Sequence, residues 1–268
     1  MGAGSDLWIW VGVLGWHEMG SGTASGTGVV PLDMARDSFD DQYRGCSSAM
    51  MAVLPALHIF ELQVNPLFTQ TWVKAEAEWR KRGSHVFPLA SPDQAVAVMA
   101  YSTKDIYKDF NAAVRALKTL RHAQKAKCHH VFRGVHDVRF QARRGQRVRF
   151  GQFTSTSLSK EVAQKYGTDT IFEVRTCHGV DIQAFSFYLS NREVLIPPYE
   201  TFEVTKVTQN GKRAWISLRS TGTYSKHNCA WLDRVNHCVW AGQGHPQRGT
   251  KTETPSAGNT QYGDRGHT

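Results

Sequence analysis

The chain has 268 residues, 41% of them hydrophobic, which is enough for a real core in one large domain or two small ones and marks a soluble globular protein. Its formal charge of +9 is unevenly spread: Arg115 to Arg149 holds eleven Lys or Arg against one acid, Asp137. A field of that sign concentrates anions such as nucleic acid, sulfated glycan or cofactor phosphates, unless it is only a solvated basic face. Five cysteines form no CxxC pair and no His/Cys cluster at zinc-finger spacing, which sets aside that class of module.

Residues 1–35 read as a leader. Within them "LWIWVGVLGW" (7–16) has the apolar character of a short signal core, but no Lys or Arg precedes Arg36. The run is too short to span a membrane. Four helical stretches follow, the first being "SSAMMAVLPALHIFEL". In "NPLFTQTWVKAEAEWRKRG", Asn65 caps, Pro66 sits in the first turn and Gly83 stops the helix. Phe68, Trp72, Ala75 and Trp79 recur there at helical spacing, as a core-facing stripe does. "SPDQAVAVMAYS" opens with Ser91 and Gln94 at capping-box spacing. Ser102 is expected to begin a fourth helix carrying Ile106, Phe110, Val114 and Leu117.

After Lys127 the texture changes to short alternating runs rich in β-branched residues: "HHVFRGV", "QRVRFGQFTSTS", "TIFEVRT", "GVDIQAF", "ETFEVTKVTQ" and "RAWISLRS". One short helix, "SKEVAQKYG", interrupts them, with Ser159 as cap and Gly167 at its end. Asn210-Gly211 signals a hairpin. Helices first and strands after predict an α+β fold, and no GxGxxG or P-loop supports a parallel nucleotide-binding sheet. From Ala241 onward the chain reads as disordered, with no hydrophobic tail for a glycolipid anchor. The expected division is a leader (1–35), a folded domain (36–240) and a tail (241–268).

The wide cysteine spacing suits two long-range disulfides and one leftover thiol, hence an oxidising compartment; five buried free thiols are the alternative. A bond between Cys46 and Cys229 would tie the ends of the folded part and contribute about 4–5 kcal/mol in the chain-entropy model. His129 and His130 follow Cys128, but adjacent residues point apart on a strand, which argues against a metal site.

Three residues at strand edges can carry chemistry together. Arg133 precedes a glycine, Gly134, that lets backbone approach a ligand closely. Ser155 and Ser157 share one side of an extended segment. Glu193 stands alone at the start of "EVLIPPYETFEV". An arginine for phosphates, a hydroxyl for orientation and a carboxylate for a cationic centre fit cleavage of a nucleotide–ribose glycosidic bond, whose transition state is oxocarbenium-like. On spacing alone the same three residues also read as ordinary surface positions.

The segments "PLDMARDSFDDQYRGC", "NPLFTQTWVKAEAEW", "AVMAYSTKDIYKDFNAAVR", "HHVFRGV", "RFGQFTSTSLSKEVAQKYG", "CHGVDIQAFSFY", "EVLIPPYETFEV" and "TYSKHNCAWL" go further. In this order, over about residues 30 to 232, the chain resembles the vertebrate ecto-ADP-ribosyltransferases, arginine-specific mono-ADP-ribosyltransferases of the R-S-E-x-E type. The resemblance implies two facing antiparallel sheets around an NAD cleft, with helices packed on one side. It implies that Arg133 positions NAD, with Gly134 on the same strand. Ser155 then supports the nicotinamide ribose and the acid, and Glu193 binds the ribose 2′-hydroxyl and stabilises the developing cation. It also implies disulfides Cys46–Cys229 and Cys128–Cys177 with Cys238 odd, NAD as co-substrate, no metal, a monomer without a transmembrane helix, and a secreted, extracellular or luminal location.

Two departures bear on activity. The first Glu of the family's pair falls at Asn191, on the acceptor side, where an amide carries no charge and is a poor base. The passage "ALKTLRHAQKAK" is shorter than the family's by about twenty residues. The leading expectation is therefore transfer of ADP-ribose from NAD to a protein arginine with release of nicotinamide. An NAD glycohydrolase or a transferase-like pseudoenzyme is the alternative, and a polyanion-binding module acting through 115–149 is the third reading.

Overall fold

A computed structural model describes residues 28–38, 40–87, 89–103, 128–211 and 213–230, all within the compact unit Met1–Leu232. The first strand, β1 (Gly28–Pro31), precedes three helices: α1 (Ser47–Val64), α2 (Pro66–Lys81) and α3 (Pro92–Ser102). Asn65 accepts a hydrogen bond from the backbone N–H of Phe68 at 3.0 Å and Pro66 fills the first turn, so α2 starts where its caps dictate. Gly83, at φ 92°, ends it. Ser91 caps α3 through the N–H of Gln94 at 3.3 Å. The other half of the box closes one residue early, because Gln94 accepts from the N–H of Ala90 (2.9 Å) rather than Ser91.

Ser102, expected to open the next helix, ends α3 instead, and its hydroxyl donates back to the carbonyl of Met99 at 2.7 Å. The expected fourth helix, the shortened passage, Cys238 and the tail lie outside the described residues.

The remaining strands are β2 (His129–Val135), β3 (Val138–Gln141), β4 (Arg147–Arg149), β5 (Thr154–Ser157), β6 (Thr170–Thr176), β7 (Val180–Asp181), β8 (Glu193–Ile196), β9 (Glu200–Asn210) and β10 (Arg213–Thr223). A short helix, α4 (Lys160–Gln164), lies between β5 and β6, capped by Ser159 on the N–H of Val162. Eight strands run in the order β4-β9-β10-β6-β2-β5-β8-β7, while β1 and β3 form a separate parallel pair. The large array has two arms, β4-β9-β10-β6-β2 and β5-β8-β7, joined through one residue pair, Phe132 with Ser157. All its pairs are antiparallel except one: β6 runs parallel to β10. Asn210 pairs with Arg213, so Gly211, at φ 58°, takes the first position of the hairpin connection that Asn-Gly signalled.

Two apolar clusters hold these layers. Phe68, Trp72 and Ala75 of α2 pack with Val98 and Met99 of α3 and with Ile182, Phe185 and Leu195 below. Phe172, Phe202, Val131, Ile216 and Leu218 fill the second. Among the described helices α1 is long and apolar enough to cross a membrane; His58 on it packs against the rings of Phe68 and Trp72, while Met51, Ile59 and Phe60 are exposed.

Residues 28–35, which the expected leader included, are built into this fold. The β1 strand pairs with β3, and the Asp33 carbonyl accepts from the N–H of Arg149 at 2.7 Å. Arg149 corrects the expected basic face, because its side chain is fully buried in an ion pair with Asp40. It also donates to the carbonyls of Met34, Ala35 and Tyr224 at 2.8, 2.9 and 3.0 Å. Asp40 and Asp41 together accept from the backbone N–H groups of Lys226, His227, Cys229 and Ala230. The disulfide Cys46–Cys229 lies beside this knot, and Cys128–Cys177 joins the start of β2 to the end of β6.

Candidate active site

Where the arms of the sheet part, a cavity of about 350 Å³ opens, lined by Arg133 and Gly134 of β2, Ser155 of β5, Glu193 of β8 and Asn191. Glu193 is 5% exposed and begins a strand whose four residues are all buried. The chain reaches it through a 3-10 turn, Leu189–Asn191, and through Arg192, which has left-handed backbone at φ 47°. That conformation costs a non-glycine residue about 1–2 kcal/mol. It is held from β5: Ser157 donates to the carbonyl of Asn191 at 2.6 Å, and the N–H of Leu158 donates to the carbonyl of Arg192 at 3.0 Å. Strain kept in place by neighbours is found where a side chain must be aimed.

The register explains how the two serines divide their work. Ser157 lies opposite Glu193 and Ser155 opposite Leu195, so both serines share the face of the carboxylate. Ser155 Oγ donates to Glu193 Oε1. The Arg133 guanidinium donates through Nη1 to the carbonyl of Ser155 at 2.8 Å. Arginine, serine and glutamate, predicted as a set from strand edges, thus form one connected chain at the cavity. The carboxyl group is buried with a hydroxyl donor on each oxygen, since Ser186 Oγ donates to Oε2 at 2.8 Å.

Gly134, which lines the cavity, also has a packing reason to be glycine. A Cβ there would meet the carbonyls of Ala163 and Gly167 at 2.2 and 2.3 Å. The glycine lets α4 lie directly on β2, and it is α4 that brings Tyr166 to the cavity. Asn191, on the same rim, accepts a hydrogen bond from the Tyr166 hydroxyl at 3.1 Å. Glu200, a second acid in the same motif, has another job: buried, it accepts from the N–H groups of Cys177 and His178 and from the hydroxyl of Thr176. It is structural.

His136 also lines the cavity, at its outer edge, and is hydrogen-bonded through Nδ1 to Asp169 at 2.9 Å. That bond, with the charge of Asp137, raises its pKa above the ordinary value. His136, Asp137 and Asp169 each bring one potential metal-ligand atom within 4.8 Å of the others, but His136 and Asp137 are exposed and the three are bonded among themselves. Ser186 and Tyr166 were missed by sequence reasoning. Neither belongs to a periodic pattern, and each reaches the site only through tertiary contact.

The family model for NAD:arginine ADP-ribosyltransferase matches residues 32–116 and 114–226, two pieces that overlap at residues 114–116. NAD(P)(+)--arginine ADP-ribosyltransferase 2 of Gallus gallus is 44% identical over 251 residues, covering 84% of this chain and 80% of that protein. GPI-linked NAD(P)(+)--arginine ADP-ribosyltransferase 1 of Homo sapiens is 38% identical, with 76% and 75% covered. The crystal structure of the eukaryotic mono-ADP-ribosyltransferase ART2.2 superposes with a TM-score of 0.64 at 33% identity, covering 75% of this chain and 99% of that one. A variant of ART2.2 in complex with NAD superposes equally well. With most of its length matched in order and the Arg–Ser–Glu chain at its cavity, the protein belongs to the NAD:arginine ADP-ribosyltransferase family.

Proposed function

We propose that the protein transfers ADP-ribose from NAD to an arginine side chain of an acceptor protein and releases nicotinamide. The observation that carries this reading is the connected Arg133–Ser155–Glu193 chain at the cavity. In the reaction the bond between C1′ of the ribose and the nicotinamide nitrogen breaks, and its electron pair neutralises the pyridinium ring. The ribose becomes oxocarbenium-like, and the Glu193 carboxylate stabilises that charge, which is present only on the way to products. The acceptor nitrogen then bonds to C1′ and loses a proton to solvent or a nearby base. Arg133 is assigned to holding NAD, since a guanidinium forks onto phosphate oxygens and also fixes the Ser155 carbonyl. Ser155 holds Glu193, and Gly134 keeps α4 close enough to wall the cavity.

Asn191 favours a second reading for the acceptor step. Its Oδ1 is engaged by Tyr166, and the amide has no charge with which to hold a guanidinium. Water would then compete for C1′, giving free ADP-ribose. Purified protein supplied with NAD labelled in the ADP-ribose part, with and without agmatine as a small guanidine acceptor, separates the two. Labelled agmatine supports transfer, and free ADP-ribose alone supports hydrolysis. Neither product from folded protein defeats both and leaves a pseudoenzyme.

The two disulfides and the ecto and GPI-linked relatives fit a protein that faces the extracellular side of the secretory pathway.

A further inference from the structure

Glu193 is held on two sides, and the second side leads away from the cavity into the helical layer. Ser186, whose hydroxyl donates to Glu193 Oε2 at 2.8 Å, is wholly buried and does not line the cavity. Its own place is fixed from α2. Arg82, the residue that caps α2, is held by Glu78 at 2.7 Å and sends its two terminal nitrogens to the carbonyls of Ser186 and Phe187, each at 2.8 Å. From α3, the Ser102 hydroxyl accepts from the N–H of Phe187 at 2.6 Å. A planar guanidinium spanning two consecutive carbonyls fixes the peptide between them as a single point charge does not.

We propose that Ser186 is a positioning residue for Glu193, and that Arg82, acting through the 186–187 backbone, sets its hydroxyl. The inference rests on the role proposed above for Glu193. A carboxylate with one donor can turn about its terminal torsion. One donor on each oxygen fixes the plane of the group, so Ser155 from the sheet and Ser186 from the helical side together determine where its charge lies. Stabilisation of a developing cation depends on placement to within about half an ångström. Such a loss falls mainly on the chemical step, because one ribose hydroxyl contact at Glu193 adds little to the hold that Arg133 is proposed to have on NAD.

The test compares four purified full-length proteins in steady-state NAD cleavage, with melting temperatures measured alongside: wild type, Ser186→Ala, Arg82→Lys and Glu193→Gln. The expected result for Ser186→Ala is a kcat lower by about 10- to 100-fold with KM for NAD changed by less than about twofold. Arg82→Lys shows the same split with a smaller loss, because an ammonium cannot reach both carbonyls. Normal kcat in Ser186→Ala beside an inactive Glu193→Gln overturns the inference alone, and a parallel change in KM and kcat does the same. An active Glu193→Gln removes the reading of Glu193 and this inference with it. Where Ser186→Ala does not fold, Arg82→Lys decides: reduced kcat at unchanged KM supports the proposal, and unchanged kcat defeats it.

Discussion

Replacing Arg149 with methionine tests whether the stretch read as a basic face is partly a core. Arg149 and Asp40 are both at 0% side-chain exposure, and the guanidinium also satisfies three backbone carbonyls. Methionine fills most of the volume but leaves a buried carboxylate without its counterion and three carbonyls without their donor. Breaking one partner of a buried pair typically costs about 3–5 kcal/mol. For a domain of this size each kcal/mol moves Tm by about 2–4 °C, so the expected fall is roughly 6–20 °C. Thermal unfolding followed by circular dichroism reads it directly. The double variant Arg149→Met with Asp40→Asn should recover part of the loss, since the uncompensated charge is removed. A single variant that melts within about 2 °C of wild type would refute the burial argument, above all if its affinity for heparin fell instead.

Glu193→Gln should reduce nicotinamide release at least about 100-fold without lowering Tm by more than a few degrees; comparable turnover in the variant would take the carboxylate out of the reaction. Asn191→Glu should raise the ratio of agmatine transfer to NAD hydrolysis by about tenfold or more, and an unmoved ratio would show that the acceptor side is set elsewhere. Gly134→Ala should cost about 1–3 kcal/mol and displace α4, because its methyl would sit 2.2 Å from the carbonyl of Ala163; full stability would mean that α4 moves away freely. Burial alone would raise the pKa of Asp40, but the hydrogen bond from Arg149, the backbone N–H groups of His227 and Lys226, and the guanidinium charge together hold it below the ordinary 3.8. A carboxyl depressed in the folded state contributes its stability above the unfolded value and loses it as pH falls through the folded one. Melting temperature should therefore drop steeply below about pH 4, and Asp40→Asn should flatten that limb; parallel profiles would count against the pair.

The helices α2 and α3 were legible because their caps are local: Asn65, Pro66, Ser91 and Gln94 act on residues three or four positions away. Strand β6 was legible because alternation survives where one face is buried: Phe172, Val174 and Thr176 are buried while Glu173 and Arg175 are less so. The parallel pairing of β6 with β10 was not, since parallel register depends on connections that no local pattern encodes. Arg149 looked like its exposed neighbours Arg143, Arg144 and Arg147 because charge counting takes no account of a carboxylate 109 residues earlier in the chain. Glu193 and Glu200, seven residues apart, look alike in sequence and differ only in what surrounds them. The Arg–Ser–Glu set was visible through resemblance. Its supports, Ser186 and Arg82, were not, since 104 residues separate them and neither lies on a periodic face.

The knot at Asp40 and Asp41 has a consequence for synthesis. Their backbone partners lie 186–189 residues downstream. At about 5–20 residues per second, a ribosome exposes Asp40 roughly 10–40 s before Lys226 exists. For that interval two carboxylates destined for burial lack their N–H donors, and Cys128 and Cys177 are made before Cys229, the partner of Cys46. The native pairing must therefore be reached by keeping Cys46 reduced or by correcting a premature bond. The segment at Asp40 and Asp41 cannot lock until the far end of the domain has been made, and a chain cut short before Ser225 would retain its strands and Glu193 but not the clasp that closes them.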